Sequence, residues 1–334
     1  MKKVISKIIS ISQKGHFYYW SFFTKINILI ILIFILFSFV TRSHAQLNKL
    51  NDPGSLLVFP LIDNRDHNSI IEITNRSWDK VWLQCYAVIQ LQTNPTVYVF
   101  RSFFIHLTPK ETFWWNTSDD YNRTDTYGIR TQINGLANEK GFIFCWAVND
   151  NKSQLEIEHN HLIGQALLYS SSKNHAWQYT AIPHQTVNVL QDRMLFLDGA
   201  EYSMATSQIM FEGFAQGFSG ADGFLTVASI DINFDVFSAS NYYLHFECWN
   251  QFEVSGTRNL QFTQFAQFDL GTQLHLALHE TFSPKFQCAT VSSGALWAVF
   301  HQSVGNLAWG ENVWQHPSTG TSAKIILPPV PLSP

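Results

Sequence analysis

The chain is poor in charge. Only 14% of its 334 residues are Asp, Glu, Lys or Arg, and no block of five or more basic residues occurs. Nucleic-acid backbones and anionic lipid surfaces are gripped by clustered Lys and Arg, so neither is expected as a partner. No P-loop, dinucleotide fingerprint or EF-hand sequence is present. Gly217-Phe218-Ser219-Gly220 has the wrong spacing for a nucleophile elbow. Amphipathic helical stretches of the length that a parallel α/β sheet needs between its strands are also missing. After residue 45 no run of 18 uninterrupted apolar residues occurs, so no later segment is expected to span a membrane as a helix. Low charge here does not mean disorder. Hydrophobic residues make up 46% of the chain and aromatic residues 15%, a composition that favours a pleated, half-buried surface.

The first 45 residues read as a signal peptide. Lys2, Lys3, Lys7, Lys14 and Lys25 make a basic opening, an apolar run follows from Ile26 to Val40, and Ser43-His44-Ala45 precedes Gln46. A basic region, an apolar region and small residues before the cleavage point are the pattern of a secretory leader. The alternative is an uncleaved membrane anchor, for which the apolar run is short. Export after cleavage places the mature chain in a secreted, periplasmic or cell-surface location with no stable membrane span. The leader holds six Lys/Arg and no acid, so its removal takes the net charge from −4 to −10.

The mature chain reads as short alternating strands divided by polar turns. Val81–Gln90 places Val81, Leu83, Cys85 and Ala87 on one face and Trp82, Gln84, Tyr86 and Val88 on the other. Similar runs are expected at Ser55–Ile62, Ile70–Thr74, Val97–Leu107, Thr112–Trp115, Gly141–Val148, Leu162–Tyr169 and Ala176–Ile182. Residues 186–222 break the pattern, with Val187–Phe196 a short helix or strand and a Gly-rich stretch after it. Strands resume at Phe224–Ile232, Tyr242–Trp249, Leu260–Asp269, Gln273–His279 and Ala295–His301, and the chain ends in a Pro-rich tail. The expected fold is all-β: two immunoglobulin-like or jelly-roll-like antiparallel β-sandwich halves after the cleaved signal peptide. Their boundaries are 1–45 for the leader, 46–185 for the first sandwich, 186–222 for a linker and 223–334 for the second sandwich. Gly54-Ser55-Leu56-Leu57-Val58 is like Gly223-Phe224-Leu225-Thr226-Val227, and Gly141-Phe142-Ile143-Phe144 is like Gly294-Ala295-Leu296-Trp297. Duplication of one plan and convergent strand composition both explain this.

The runs Gly54–Pro60, Ile71-Glu72-Ile73-Thr74-Asn75 and Phe104–Glu111 carry a resemblance. They are similar to secreted bacterial proteins that open with an immunoglobulin-like β-sandwich, and the rest of the chain resembles uncharacterised members of that kind. The resemblance covers about the first third of the mature chain. It implies a fold and transfers no catalytic residue.

Candidate chemistry is thin. Glu158, His159 and His161 form the densest group of ligand types, and on a strand the two histidines would share a face as a zinc or copper pair does. The competing reading is a set of solvated polar residues. His275 and His279 lack the order of a zinc protease motif. Asp63, Asn64, Asp66 and Asn68 offer oxygens but no closing Glu, so a turn is expected rather than calcium. In Phe113-Trp114-Trp115-Asn116, one tryptophan must face away from the core of a regular strand. Trp114 or Trp115 beside Asn116 could then stack on a sugar ring, or pack against a neighbouring sheet.

Four cysteines in an exported chain permit disulfides. Cys85 and Cys145 both occupy core-facing positions in the first half, which favours an inter-sheet bridge between them. Cys248 and Cys288 would pair or stay as buried thiols, Cys288 not holding the place in its half that Cys145 holds in the first. The alternative is four buried free thiols. The function expected is a non-catalytic binding or structural role, engaging protein or glycan through loops and edge strands, with no cofactor. The alternative is a secreted metal-dependent hydrolase using Glu158, His159 and His161.

Overall fold

The computed structural model describes residues 52–170, 172, 174–214, 221–234, 241–250, 255–269, 285–304, 307–312, 314–315 and 320–327, all within the compact unit Ala45–Pro334. The leader, the Gly217–Gly220 stretch, the His275/His279 pair and the Pro-rich end lie outside the described residues. Among the described residues every regular element is a strand. In chain order these are β1 (Leu56–Asp63), β2 (Asn68–Asn75), β3 (Val81–Gln90), β4 (Tyr98–Leu107), β5 (Thr112–Asn116), β6 (Tyr121–Thr124), β7 (Arg130–Ile133), β8 (Lys140–Val148), β9 (Leu162–Ser170), β10 (His175–Thr180) and β11 (Ile182–His184). Then come β12 (Met194–Leu197), β13 (Ala205–Phe214), β14 (Ala221–Ser229), β15 (Ile232–Asn233), β16 (Tyr242–Asn250), β17 (Ser255–Phe262), β18 (Phe265–Asp269), β19 (Lys285–Val304), β20 (Leu307–Asn312), β21 (Trp314–Gln315), β22 (Gly320–Thr321) and β23 (Ala323–Ile326).

The all-β class expected from alternation is what the chain adopts. The first half is a sandwich of one sheet ordered β11-β1-β8-β3-β4 on another ordered β10-β9-β2-β5. Alternation sets the facing. In β2, Ser69, Ile71, Ile73 and Asn75 are buried while Asn68, Ile70, Glu72 and Thr74 are partly exposed.

The second half repeats this order. The 20-residue β19 takes part in both of its layers. Its first part pairs with β13 and β16, and its second part with β14 and β20. With β17 on β16, β18 on β14 and β21 on β13, the layers read β21-β13-β19-β16-β17 and β20-β19-β14-β18. Substituting β13 for β1, β14 for β2, β16 for β3, β17 for β4, β18 for β5, β19 for β8 and β9, β20 for β10 and β21 for β11 turns one half into the other. The short motif likeness of the sequence had a different register. It matched Gly54–Val58 at the start of β1 to Gly223–Val227 in β14, whereas the sheet order matches β1 to β13.

Three further expectations need correction. Residues 186–222 are not simply a linker: β12 pairs with β23 and β13 is a central strand of the second sandwich. Leu260–Asp269 is not one strand. The chain bends at Thr263 and Gln264, and β17 and β18 join different strands. Third, the disulfide Cys85–Cys145 is present but does not cross between sheets. Cys85 and Cys145 are direct antiparallel partners on β3 and β8, with Cα atoms 4.1 Å apart. Cys248–Cys288 is the same kind of bridge between β16 and β19. Cys288 therefore does hold the place that Cys145 holds.

The β1–β8–β3 sheet is covered on both faces, which is why β1 is buried throughout its length. One face meets β2, β5 and β9. The other presents Tyr86, Phe142 and Phe144 to Phe234, Phe265 and Trp297 of the second half, with Trp146 stacked beside Tyr86 and Phe144. Tyr86 stacks on Trp146 at 5.7 Å and meets Phe234 at 4.9 Å. Each such buried ring contributes about 1.5–3 kcal/mol by leaving water. The halves also meet edge on edge. A Cβ on Gly310 of β20 would stand 2.2 Å from Cε3 of Trp177 on β10, so glycine is what permits that approach.

Candidate functional site

The outer face of the β10-β9-β2-β5 sheet carries the most suggestive surface. Registers align Trp114 of β5 with Glu72 of β2, Glu72 with Gln165 of β9, and Gln165 with Thr180 of β10. These four outward residues form one row across the sheet. The next row runs Asn116, Ile70, Leu167 and Gln178. Trp114 is 62% exposed, while Trp115 is 2% exposed and packs with Phe103 and Phe113 in the core. Strand alternation forces that split between neighbours.

Asn116 is already engaged. Its Nδ2 donates to Asp119 Oδ2 at 2.9 Å, and its Oδ1 accepts from the Ser118 hydroxyl at 2.8 Å. It shapes the turn after β5 more than it offers free groups. Thr74 and Thr112 hydroxyls bond at 2.9 Å on the same face.

The row leads into a groove of ≈ 250 Å³ lined by Asp52, Glu72, Arg76, Ile163, Gln165 and Thr180, among others. Glu72 is thus both Trp114's cross-strand neighbour and a wall of the groove. Trp78, 80% exposed, lies two residues beyond Arg76. Lys110 Nζ sits 4.7 Å from its ring centroid and also donates to the Arg76 carbonyl. An aromatic face next to carboxylate, amide and guanidinium groups can stack on an apolar ring face and bond its hydroxyls.

The Glu158/His159/His161 segment is a loop, not a strand. His159 is buried and donates from Nε2 to Asn75 Oδ1 at 3.1 Å. Asn75 Oδ1 also accepts from Ser77 N, and Asn75 Nδ2 donates to the Asp79 and Thr108 carbonyls. Burial, with His161 nearby, pushes the His159 imidazole down to about 4. Glu158 and His161 are exposed, and the two histidine rings meet edge to face at 5.3 Å. His159 thus braces the turns around Asn75. Among the described residues no three His, Cys, Asp or Glu side chains gather as one metal shell.

A second polar group lies where β12 meets the first sandwich. Glu156 Oε2 accepts from Arg193 N at 3.3 Å, and Glu201 Oε2 accepts from Phe196 N at 3.1 Å. Both carboxyls are buried. Burial raises both above the ordinary carboxylate range, Glu201 to about 7. Burial and these two carboxyls hold the Tyr202 phenol well above its usual value. Sequence reading missed this group, because buried acids carry no local signature. It also missed Glu72, Gln165 and Thr180, which are legible as outward polar positions but not as neighbours of Trp114.

No protein-family model matches the chain, and no curated protein matches it. Solved structures that align with it include protein 1070 of Thermotoga maritima, at TM-score 0.27 and 8% identity over 35% of this chain and 98% of that one. A presumptive secreted protein of Parabacteroides distasonis aligns at TM-score 0.17 and 8% identity, over 80% and 72% of the two chains. The vicilin of Solanum melongena aligns at TM-score 0.19 and 9% identity, over 82% and 75%. Scores of this size carry no argument about this chain. The all-β class rests on its own sheets.

Proposed function

We propose that this is an exported, non-catalytic binding protein of the cell surface or periplasm that engages glycan chains on the outer β10-β9-β2-β5 face. The observation that carries the reading is the row Trp114–Glu72–Gln165–Thr180, in which an exposed indole stands beside polar groups leading into a groove. An exposed indole offers a flat apolar surface at small entropic cost. Export is supported by the leader pattern and by two disulfides that use all four cysteines, as befits an oxidising compartment. No helix among the described residues is long and apolar enough to cross a membrane. In this reading the engaging surface is a sheet face whose row begins and ends on the edge strands β5 and β10.

Affinity electrophoresis of the mature protein through a panel of soluble polysaccharides tests the reading. Retardation by at least one polysaccharide, lost in Trp114→Ala and weakened in Glu72→Gln, is expected. A wild-type protein retarded by none, or a Trp114→Ala variant retarded equally, would overturn it.

A further inference from the structure

We propose that His67 and His175 form a binding site for one divalent transition-metal ion of the zinc, copper or nickel class. Nε2 of His67 stands 3.3 Å from Nε2 of His175. Two imidazole nitrogens bound about 2.0–2.1 Å from one tetrahedral ion lie about 3.3–3.4 Å apart. The pair therefore already has the edge length of such a shell. The rings tilt by 38° with centroids 5.5 Å apart, so their nitrogens converge without the rings stacking face to face.

The two ligands are held by separate, well-braced elements. His67 closes the turn from β1 to β2. Asp63 Oδ1 fixes that turn by accepting from Arg65 N and Asp66 N, each at 3.1 Å. Ser69 bonds the Asp63 backbone on both sides, accepting from its N at 2.8 Å and donating to its O at 3.3 Å. His175 opens β10 and is paired with Ser170 of β9. Two residues along the same face of β10, Trp177 is buried and stacks on His301 at 4.3 Å.

A carboxylate stands behind the first imidazole. Asp63 Oδ2 lies 3.6 Å from His67 Nδ1 and 3.0 Å from Lys140 Nζ. His67 Nδ1 is buried and makes no hydrogen bond at that distance. A small ring rotation would bring Nδ1–H onto Asp63 and leave the Nε2 lone pair for the ion. Metal-bound histidines commonly have such a carboxylate behind them, which sets the tautomer and raises ligand basicity. Lys140 is a nearby positive charge, and its contact with Asp63 offsets it. His175 is partly exposed, and the His67 side chain keeps 8% of its surface exposed. Since no three His, Cys, Asp or Glu side chains form one shell among the described residues, water would fill the remaining positions. Imidazole donors suit zinc, copper and nickel, whereas calcium and magnesium prefer oxygen.

Isothermal titration of the mature protein with zinc, nickel and cupric ions tests the site, with electron paramagnetic resonance of the cupric form. One equivalent per chain is expected, with hyperfine coupling to two imidazole nitrogens. His67→Ala and His175→Ala should each abolish it, and His67→Gln and His175→Gln should do the same while keeping a polar side chain. The double variant His159→Ala/His161→Ala should bind as wild type. Absence of binding by a wild-type protein with both disulfides formed would overturn the proposal. So would binding that survives the His67 and His175 variants, or that disappears only with His159 and His161.

Discussion

Trp297 of β19 donates from its indole Nε1 to Nε2 of His184 at 2.9 Å, across the junction of the two halves. The opposite ring nitrogen of His184, Nδ1, donates to the Ser203 carbonyl at 3.0 Å. One nitrogen must accept and the other donate, so the buried imidazole is neutral with its proton on Nδ1. Burial pushes it from the ordinary 6.5 down to about 4, partly countered by the Ser203 carbonyl.

Acid should therefore loosen this junction. A lowered histidine contributes stability that is present above its unfolded value of 6.5 and lost as pH falls towards about 4. His159 and His301 are shifted the same way, to about 4 and about 3. Thermal unfolding should show a falling midpoint below pH 6.5, and His184→Gln should show a shallower fall than wild type. At neutral pH the variant should cost about 1–3 kcal/mol if it leaves the Trp297 donor without a partner. An unchanged acid slope in the variant would mean that His184 does not titrate as argued.

Glu201 should act with the opposite sign. Its folded value, raised from 4.5 to about 7 mainly by burial, gives stability that is complete below 4.5 and lost as pH rises through about 7. Glu201→Gln keeps an oxygen for Phe196 N and carries no charge. The variant should match wild type near pH 5 and exceed it near pH 8 in urea midpoint. Equal differences at both pH values would remove the ionisation argument.

The two neighbouring tryptophans should separate function from folding. Trp115→Ala empties a buried site beside Phe103 and Phe113 and should cost about 3–5 kcal/mol. Trp114→Ala, on the exposed face, should stay within about 0.5 kcal/mol of wild type while losing any glycan retardation. Urea denaturation of both variants checks the contrast.

Non-reducing peptide mapping should return Cys85–Cys145 and Cys248–Cys288 and no alkylatable thiol in the unfolded, unreduced protein. The bridges span sequence separations of 60 and 40 residues. By loop entropy each should stabilise by about 4 kcal/mol. Replacing Cys85/Cys145 and Cys248/Cys288 by alanine, one pair at a time and then together, should accordingly lower the unfolding midpoint in two separable steps.

Much of the strand content was legible because a pleated strand writes its facing into every second residue. Val81–Gln90 has the same bounds in sequence and structure, and Cys85 and Cys145 both point inward as their alternation implies. Sequence also established that one of Trp114 and Trp115 had to face outward. Pairing was not legible, because the period of a strand says nothing about its partner in space. Tertiary structure alone set Trp114 beside Glu72, put Cys85 and Cys145 in one sheet, and matched β13 rather than β14 to β1. It also brought His67 and His175, 108 residues apart, to one point. Each of these depends on long-range registers, and a shift of one residue in a register would send every side chain of that strand to its other face.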